Sequence, residues 1–380
     1  MQSSIQQYSN GKWSPTTTDQ VHSPEIPPQL VICFSSKDIL KEEHIYENIK
    51  TQFPEAQIAT CSTAGIIADD SVEEKKLIAV SIAFEKTSIQ TAMINIKDFT
   101  SSYEAGSALL RQLPSEGLSY ILVLSDGNIV NGSELVKGLN DAAPEGVLVT
   151  GGLAGDDHNF RSTMVGLNAN PAEGNIIAIG LYGEYIKVTH GTQGGWESFG
   201  MEKMVTKSAG NKLYDLDNQN ALELYKKYLG PEAENLPASA LLFPLSVLIP
   251  GNEKPIVRTI LSIDENENSL IFAGDIPENS KVRFMKANFD KIITASADAA
   301  QDALVKNNVK PDLALLVSCV GRKLILGQRT DEEIEAVKEI FGDDTTIAGF
   351  YSYGEISPFS EKESCQLHNQ TMTITAFYEL

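Results

Sequence analysis

Short apolar runs punctuate the chain, with longer polar or mixed stretches between them. LVICFSS (30–36) is almost unbroken, as a strand buried on both faces requires. KDILKEEHIYENIKTQ follows, with Ile39, Leu40, Ile45 and Ile49 in an imperfect helical stripe. AQIATC predicts a second strand closing in the small-residue loop STAGI, and LIAVSIAF (77–84) a third. The same order returns twice. YILVLSDG (120–127) leads to the helix SELVKGLNDA, N-capped by Ser133, then to VLVTGGLAGDD and the strand NIIAIGLYG. Near the end, LALLVSCVG (313–321), DEEIEAVKEIF, TTIAGFYSYGEISP and MTITAFYEL repeat it.

IATCSTAGII (58–67) echoes IAGFYSYGEI (347–356) at the Ile-Ala opening, at a serine (Ser62, Ser352), at Gly65 and Gly354, and at the closing Ile. Repeated strand–helix–strand units predict an α/β fold of mixed sheets with helices on their faces. Ligands in such folds sit beyond the carboxyl ends of the strands. CSTAG, GGLAGDD and YSYGE fall at those ends, so stacked repeats would bring the loops to one pocket shared by two halves. The middle differs: NALELYKKYLG is a helix stopped by Gly-Pro, and the stretch 255–285 reads as two long strands around the acidic turn ENEN. Residues 1–27 are polar and end in SPEIPPQ, which reads as a flexible lead-in. A boundary near residues 205–220 then gives halves of 28–210 and 211–380.

Composition narrows the function. Fifty-one acids against 30 bases leave a net charge of −21, unsuited to nucleic acid or to an anionic membrane surface. No run approaches the ~20 apolar residues that cross a bilayer, and MQSSIQQYSNGKWSPTTT has no secretory-signal pattern. The 4 cysteines are scattered without a C-x-x-C pair, against a disulfide framework or zinc site. A cytoplasmic protein is expected.

The stretches KLYDLDNQNALELYKKYLG, VRTILSIDENENSLIFAGDIPENSKVRFM and FYSYGEISP…CQLHNQTMTITAFYE resemble the C-terminal half of FIST domain proteins. CSTAGII, ILVLSDG and TGGLAGDD resemble the N-terminal half, so the resemblance spans roughly residues 28–380. It implies an intracellular signal-transduction sensor that binds a small ligand such as an amino acid. The partner it implies is a histidine kinase or a cyclic-di-nucleotide enzyme, a diguanylate cyclase or phosphodiesterase. A subset of the family binds haem and senses nitric oxide.

Candidate ligand contacts sit in the loops. Gly152 and Asp156 of GGLAGDDHNF, which also holds Asp157 and His158, lack a P-loop ending, and the acids repel phosphate; Asp156 suits an ammonium, or the loop is a tight turn. Asp126 with Asn128 and Asn131 offers polar contacts, or caps an Asp-Gly turn. Ser62, Thr63, Ser352, Tyr353 and Glu355 supply hydroxyls and one acid for a small polar ligand, or cap their own loops. Arg258 is the best placed of Arg258, Arg283, Arg322 and Arg329 to hold a ligand carboxylate, the others reading as surface ion pairs. In HGTQGGW, His190 precedes glycines and a tryptophan and is the candidate haem-iron ligand, the resemblance adding to that reading. His368 in LHNQTM reads as a structural corner; His22 and His44 read as tail and surface residues. No G-x-S-x-G, H-E-x-x-H or Cys–His pairing invites an enzyme, and none is expected.

Overall fold

The computed structural model describes residues 1–16, 26–156, 160–305, 309–359 and 363–380. The repeat is literal. In unit I, Leu30–Ser35 pairs in parallel with Gln57–Ser62 and antiparallel with Leu77–Ala83, which then pairs with Gln2–Ser9. In unit II, Leu118–Ser125 pairs with Leu148–Leu153 and Asn175–Tyr182, and the latter with Ser88–Asn95. In unit III, Leu313–Cys319 pairs with Thr346–Ser352 and Met372–Glu379, and the latter with Ile186–Gln193.

The registers coincide: Leu30 faces Gln57, Tyr120 faces Leu148 and Leu313 faces Thr346. Counting from those pairs, Ser62 corresponds to Tyr351 and Thr63 to Ser352, one residue off the serine match read from the sequence. A short strand after each second strand leaves its own unit for the next. Ile66–Ala68 joins unit III, Gly354–Ser357 joins unit II and Val165–Leu167 joins unit I. No unit completes its sheet alone, so the ring closes on itself.

Strand alternation divides the core. Ile32 and Phe34, Leu122 and Leu124, Leu315 and Val317 occupy matching positions and meet in one cluster between the sheets, where Phe34 stacks on Phe350 at 5.0 Å. The intervening residues face the helices: Val31 and Cys33 in unit I, Ile121 and Val123 in unit II, Ala314 and Leu316 in unit III. Each fully buried Leu, Ile or Phe contributes ~1.5–3 kcal/mol. The helix expected with Ser133 as its cap begins two residues earlier, at Gly132, with Asn131 as cap: its side chain accepts from Glu134 N at 3.1 Å. The stripe at 37–52 is two helices, Lys37–Leu40 and Ile45–Gln52, parted at His44, whose φ is 68°.

Residues 2–15 correct the reading of a flexible lead-in. Gln2–Ser9 and Lys12–Pro15 form a hairpin on the edge of unit I, with Ile5 buried in the central cluster. One apolar anchor among polar residues hid the strand. The turn signal was present: Asn10-Gly11, with φ of 51° and 77°, is the pair a tight hairpin demands.

The middle of the chain forms a fourth sheet, centred on Glu197–Ala209 between Lys281–Lys286 and Lys212–Leu216. Helix Ala221–Leu229 covers it, and Leu222, Tyr225, Phe272 and Phe284 build a core of its own. The chain passes into it at 194–196 and out at 287–288. The expected cut at 210/211 falls within this sheet, at the turn after Glu197–Ala209.

Candidate functional site

Three backbone hydrogen bonds at matching positions tie the loops head to tail. Ala64 N donates to Tyr351 O (2.9 Å), Tyr353 N to Leu153 O (3.1 Å) and Gly155 N to Ser62 O (2.9 Å). The loops expected to converge do so. Beside this junction lies a pocket of about 350 Å³ lined by Ser36, Lys37, Thr63, Ala64, Gly65, Asp156, Arg161 and Lys323, together with residues 73–75. All three units supply side chains. Gly65 holds a φ of 155°, which residues with a side chain rarely adopt, and a Cβ there would crowd the Tyr351 ring at 3.0 Å, so glycine suits the loop closure here.

Asp156 is the hub. Its carboxylate accepts from Lys37 Nζ (3.0 Å), Arg161 N (3.1 Å), Ser162 N (3.0 Å) and the Tyr353 hydroxyl. Burial raises its pKa, but these bonds outweigh burial and hold it below the usual carboxylate range. Burial, and then the Asp156 carboxylate, push the Tyr353 phenol up. Phe160 stacks on that phenol at 4.4 Å. Lys323 donates to Ala64 O (2.8 Å) and Glu74 (2.7 Å), and that pairing holds Glu74 low. Arg161 is exposed, and its guanidinium makes no hydrogen bond or ion pair among the described residues. The pocket therefore offers Arg161 and Lys75, neither in an ion pair among the described residues, beside a lysine–carboxylate pair that an incoming charge can open.

Of the residues expected from sequence, Thr63 and Asp156 line this pocket and Tyr353 supports Asp156. Ser62 instead locks a neighbouring loop, accepting from Met164 N at 2.9 Å. Gly152 lies in the sheet opposite Glu355, where a Cβ would strike Val317 at 2.6 Å. Ser352 donates to Glu355 at 2.7 Å, and Glu355 also accepts from Thr371; burial pushes its carboxyl up to about 8. Asp126 caps turns through Asn128 N, Ile129 N and Gly174 N. Arg258 is buried away from the junction and clasps Leu367 O (2.8 Å) and Asp275 O (3.2 Å), tying the fourth sheet to the body. Burial lowers its pKa to about 10. Arg322, read as a surface residue, is fully buried against Glu333. Asp157, His158 and His22 lie outside the described residues.

Sequence reasoning missed Lys37, Arg161 and Lys323. Lys37 lies two residues past the first strand of unit I and Lys323 four past that of unit III, and cations just beyond those strand ends of an acidic chain were the available signal.

His190 lies elsewhere, in a cleft of about 1010 Å³ between unit III and the fourth sheet. Its Nε2 donates to Pro358 O at 3.0 Å, and its Nδ1 is sealed from solvent. His368 does the same one residue earlier, Nε2 to Ser357 O at 2.8 Å, and burial holds it down at about 4. Neither nitrogen of His190 is presented to the cleft, so these residues do not fit a histidine-ligated haem. Among the described residues no group of three or more His, Cys, Asp or Glu is placed to hold a metal ion, and no helix is long and apolar enough to cross a membrane.

The architecture is that of a ligand-binding α/β protein whose pocket is assembled from repeated units. The FIST N domain matches residues 29–219 and the FIST C domain residues 221–358, and the chain belongs to this family of small-ligand sensing domains. It is 23% identical over 393 aligned positions to the uncharacterized protein MJ1623 of Methanocaldococcus jannaschii, covering 92% of this chain and 73% of that one. Among solved structures, cyanuric acid hydrolase from A. caulinodans aligns with 77% of this chain and 99% of its own, at 8% identity and a TM-score of 0.19. That likeness is too slight to carry an argument.

Proposed function

We propose that the protein is a cytoplasmic sensor, not a catalyst, whose ligand binds at the loop junction and whose occupancy regulates a separate signalling enzyme. The family membership supports the class of function and leads to an amino acid or similar small polar molecule as ligand. The partner it suggests is a histidine kinase or a cyclic-di-nucleotide enzyme. The observation that carries the reading is the Arg161 guanidinium set beside the Lys37–Asp156 pair in a pocket of about 350 Å³. A ligand carboxylate takes Arg161 and Lys37, and a ligand ammonium takes Asp156. Lys37 of unit I pairs with Asp156 of unit II, and Lys323 of unit III pairs with Glu74 of unit I, so replacing these contacts shifts how the units sit. Such a shift needs different ligand affinity in the two arrangements.

Calorimetric titration of the purified protein with the individual amino acids tests this. One or a few should bind at one site per chain. A charge-assisted hydrogen bond contributes ~1.5–3 kcal/mol, so Asp156→Asn and Arg161→Ala should each weaken binding roughly 10- to 150-fold. Binding indifferent to both changes removes the loop junction as the site.

A further inference from the structure

The cleft of about 1010 Å³ is nearly three times the volume of the loop pocket, and the sensor reading leaves it unused. Its walls belong to two bodies. Strand Ile186–Gln193 and the segment around His368 form one side, and residues of the fourth sheet, Lys254, Val257 and Met285, the other. Its rim includes Gly194–Trp196, where the chain crosses into the fourth sheet.

The lining has two characters. Trp196, Phe359 and Met285 supply broad apolar surface, and the Trp196 ring is fixed by its Nε1 donating to Gln370 O at 2.9 Å. Against this stand Lys187 and Lys254, neither with an ion-pair partner among the described residues, while the carboxylate of Asp302 is already engaged by the Gln193 amide at 2.7 Å. Lys254 lies 5.8 Å from the Phe359 ring centre, a cation over an aromatic face. Two unneutralised ammonium groups are notable in a chain of net charge −21. His368 closes the floor, its ring fully buried and fixed by Nε2 donating to Ser357 O.

We infer that this cleft is a second ligand site, for an organic anion with a flat apolar body. The body lies against Trp196, Phe359 and Met285, and the acid groups meet Lys187 and Lys254. The ligand is held by packing and charge, with no metal bond, and it contacts both sides of the crossing at residues 194–196. The inference does not depend on what binds at the loop junction.

Anilinonaphthalene sulfonate, a fluorescent aromatic sulfonate, is the probe. The chain has 2 tryptophans, and the other, Trp13, packs against Phe53 on the far side of unit I. Bound probe should therefore quench Trp196 by energy transfer, saturating at one probe per chain. Trp196→Phe should abolish the transfer while direct probe fluorescence still saturates. Lys187→Glu with Lys254→Glu, both exposed and expected to fold, should weaken binding at least tenfold, and added salt should weaken it in the parent. Absence of saturable binding, several probes per chain, or affinity unchanged in the double lysine variant overturns the proposal.

Discussion

Glu333→Gln is the sharpest test of what holds the pocket's framework. Arg322 and Glu333 are both fully buried, their closest approach 2.7 Å. Arg322 also donates to Gly194 O, Ile292 O and Ser296 Oγ, each at 2.8 Å. The far oxygen of Glu333 accepts from Tyr351 at 2.6 Å and from Ser318 at 3.2 Å. One ion pair thus binds the first and second strands of unit III, three helices and the crossing into the fourth sheet. Gln keeps the shape but leaves the guanidinium uncompensated, which costs ~3–5 kcal/mol. With an unfolding entropy of ~2.1 cal/mol/K per residue, a chain of 380 residues unfolding as one unit loses about 4–6 °C of Tm. Differential scanning calorimetry reads this directly. Arg322→Met with Glu333→Leu removes both charges and should recover roughly half the loss or more. A Tm within ~1 °C of the parent for Glu333→Gln, which the same scaling converts to under about 1 kcal/mol, refutes the reasoning.

Three further outcomes follow from the same geometry. A Cβ on Gly138 would stand 2.0 Å from Tyr103 O across the contact of helices Ser102–Leu110 and Gly132–Ala142, so Gly138→Ala should cost ~1–3 kcal/mol, seen as a lower denaturation midpoint in urea. Glu355 titrates at about 8 in the folded chain against an ordinary 4.5, so the folded state holds the extra proton and stability falls as pH rises through that window. Glu355→Gln should flatten the fall in a pH series of urea melts. Glu379 runs the other way: burial raises it, but bonds from Glu85 N, Thr87, Lys86 N and the N-terminal ammonium hold it at about 2. Its contribution is present above 4.5 and lost as pH falls toward 2, and Glu379→Gln should remove that acid-range loss.

The repeats were legible because each first strand is an unbroken apolar run, LVICFS, YILVLS or LALLVSC, with a small-residue loop after its partner. Their convergence followed from the rule for strand ends. The exchange of Ile66–Ala68, Val165–Leu167 and Gly354–Ser357 between units was not legible, since three-residue and four-residue strands carry little periodicity. Side-chain roles were harder. Asp126 and Arg258 have the right chemistry for a ligand, but what surrounds each is set by distant chain: Gly174 N for one and Leu367 O for the other. Asp156 was found because it ends a glycine loop, whereas Lys37 lies 119 residues from it in sequence, a contact no local pattern announces. His190 was read as an iron ligand from the glycines and tryptophan that follow it, and only the fold places Pro358 O against its ring.

The central claim is that a small ligand sits where the three units meet. Hydrogen-exchange mass spectrometry with and without the amino acid selected by calorimetry tests it most directly. Protection should appear together in peptides covering 35–38, 62–66, 160–164 and 320–324, one set from each unit. Protection confined to 187–196 and 254–257, with those peptides unchanged, would contradict the account and place the ligand in the cleft instead.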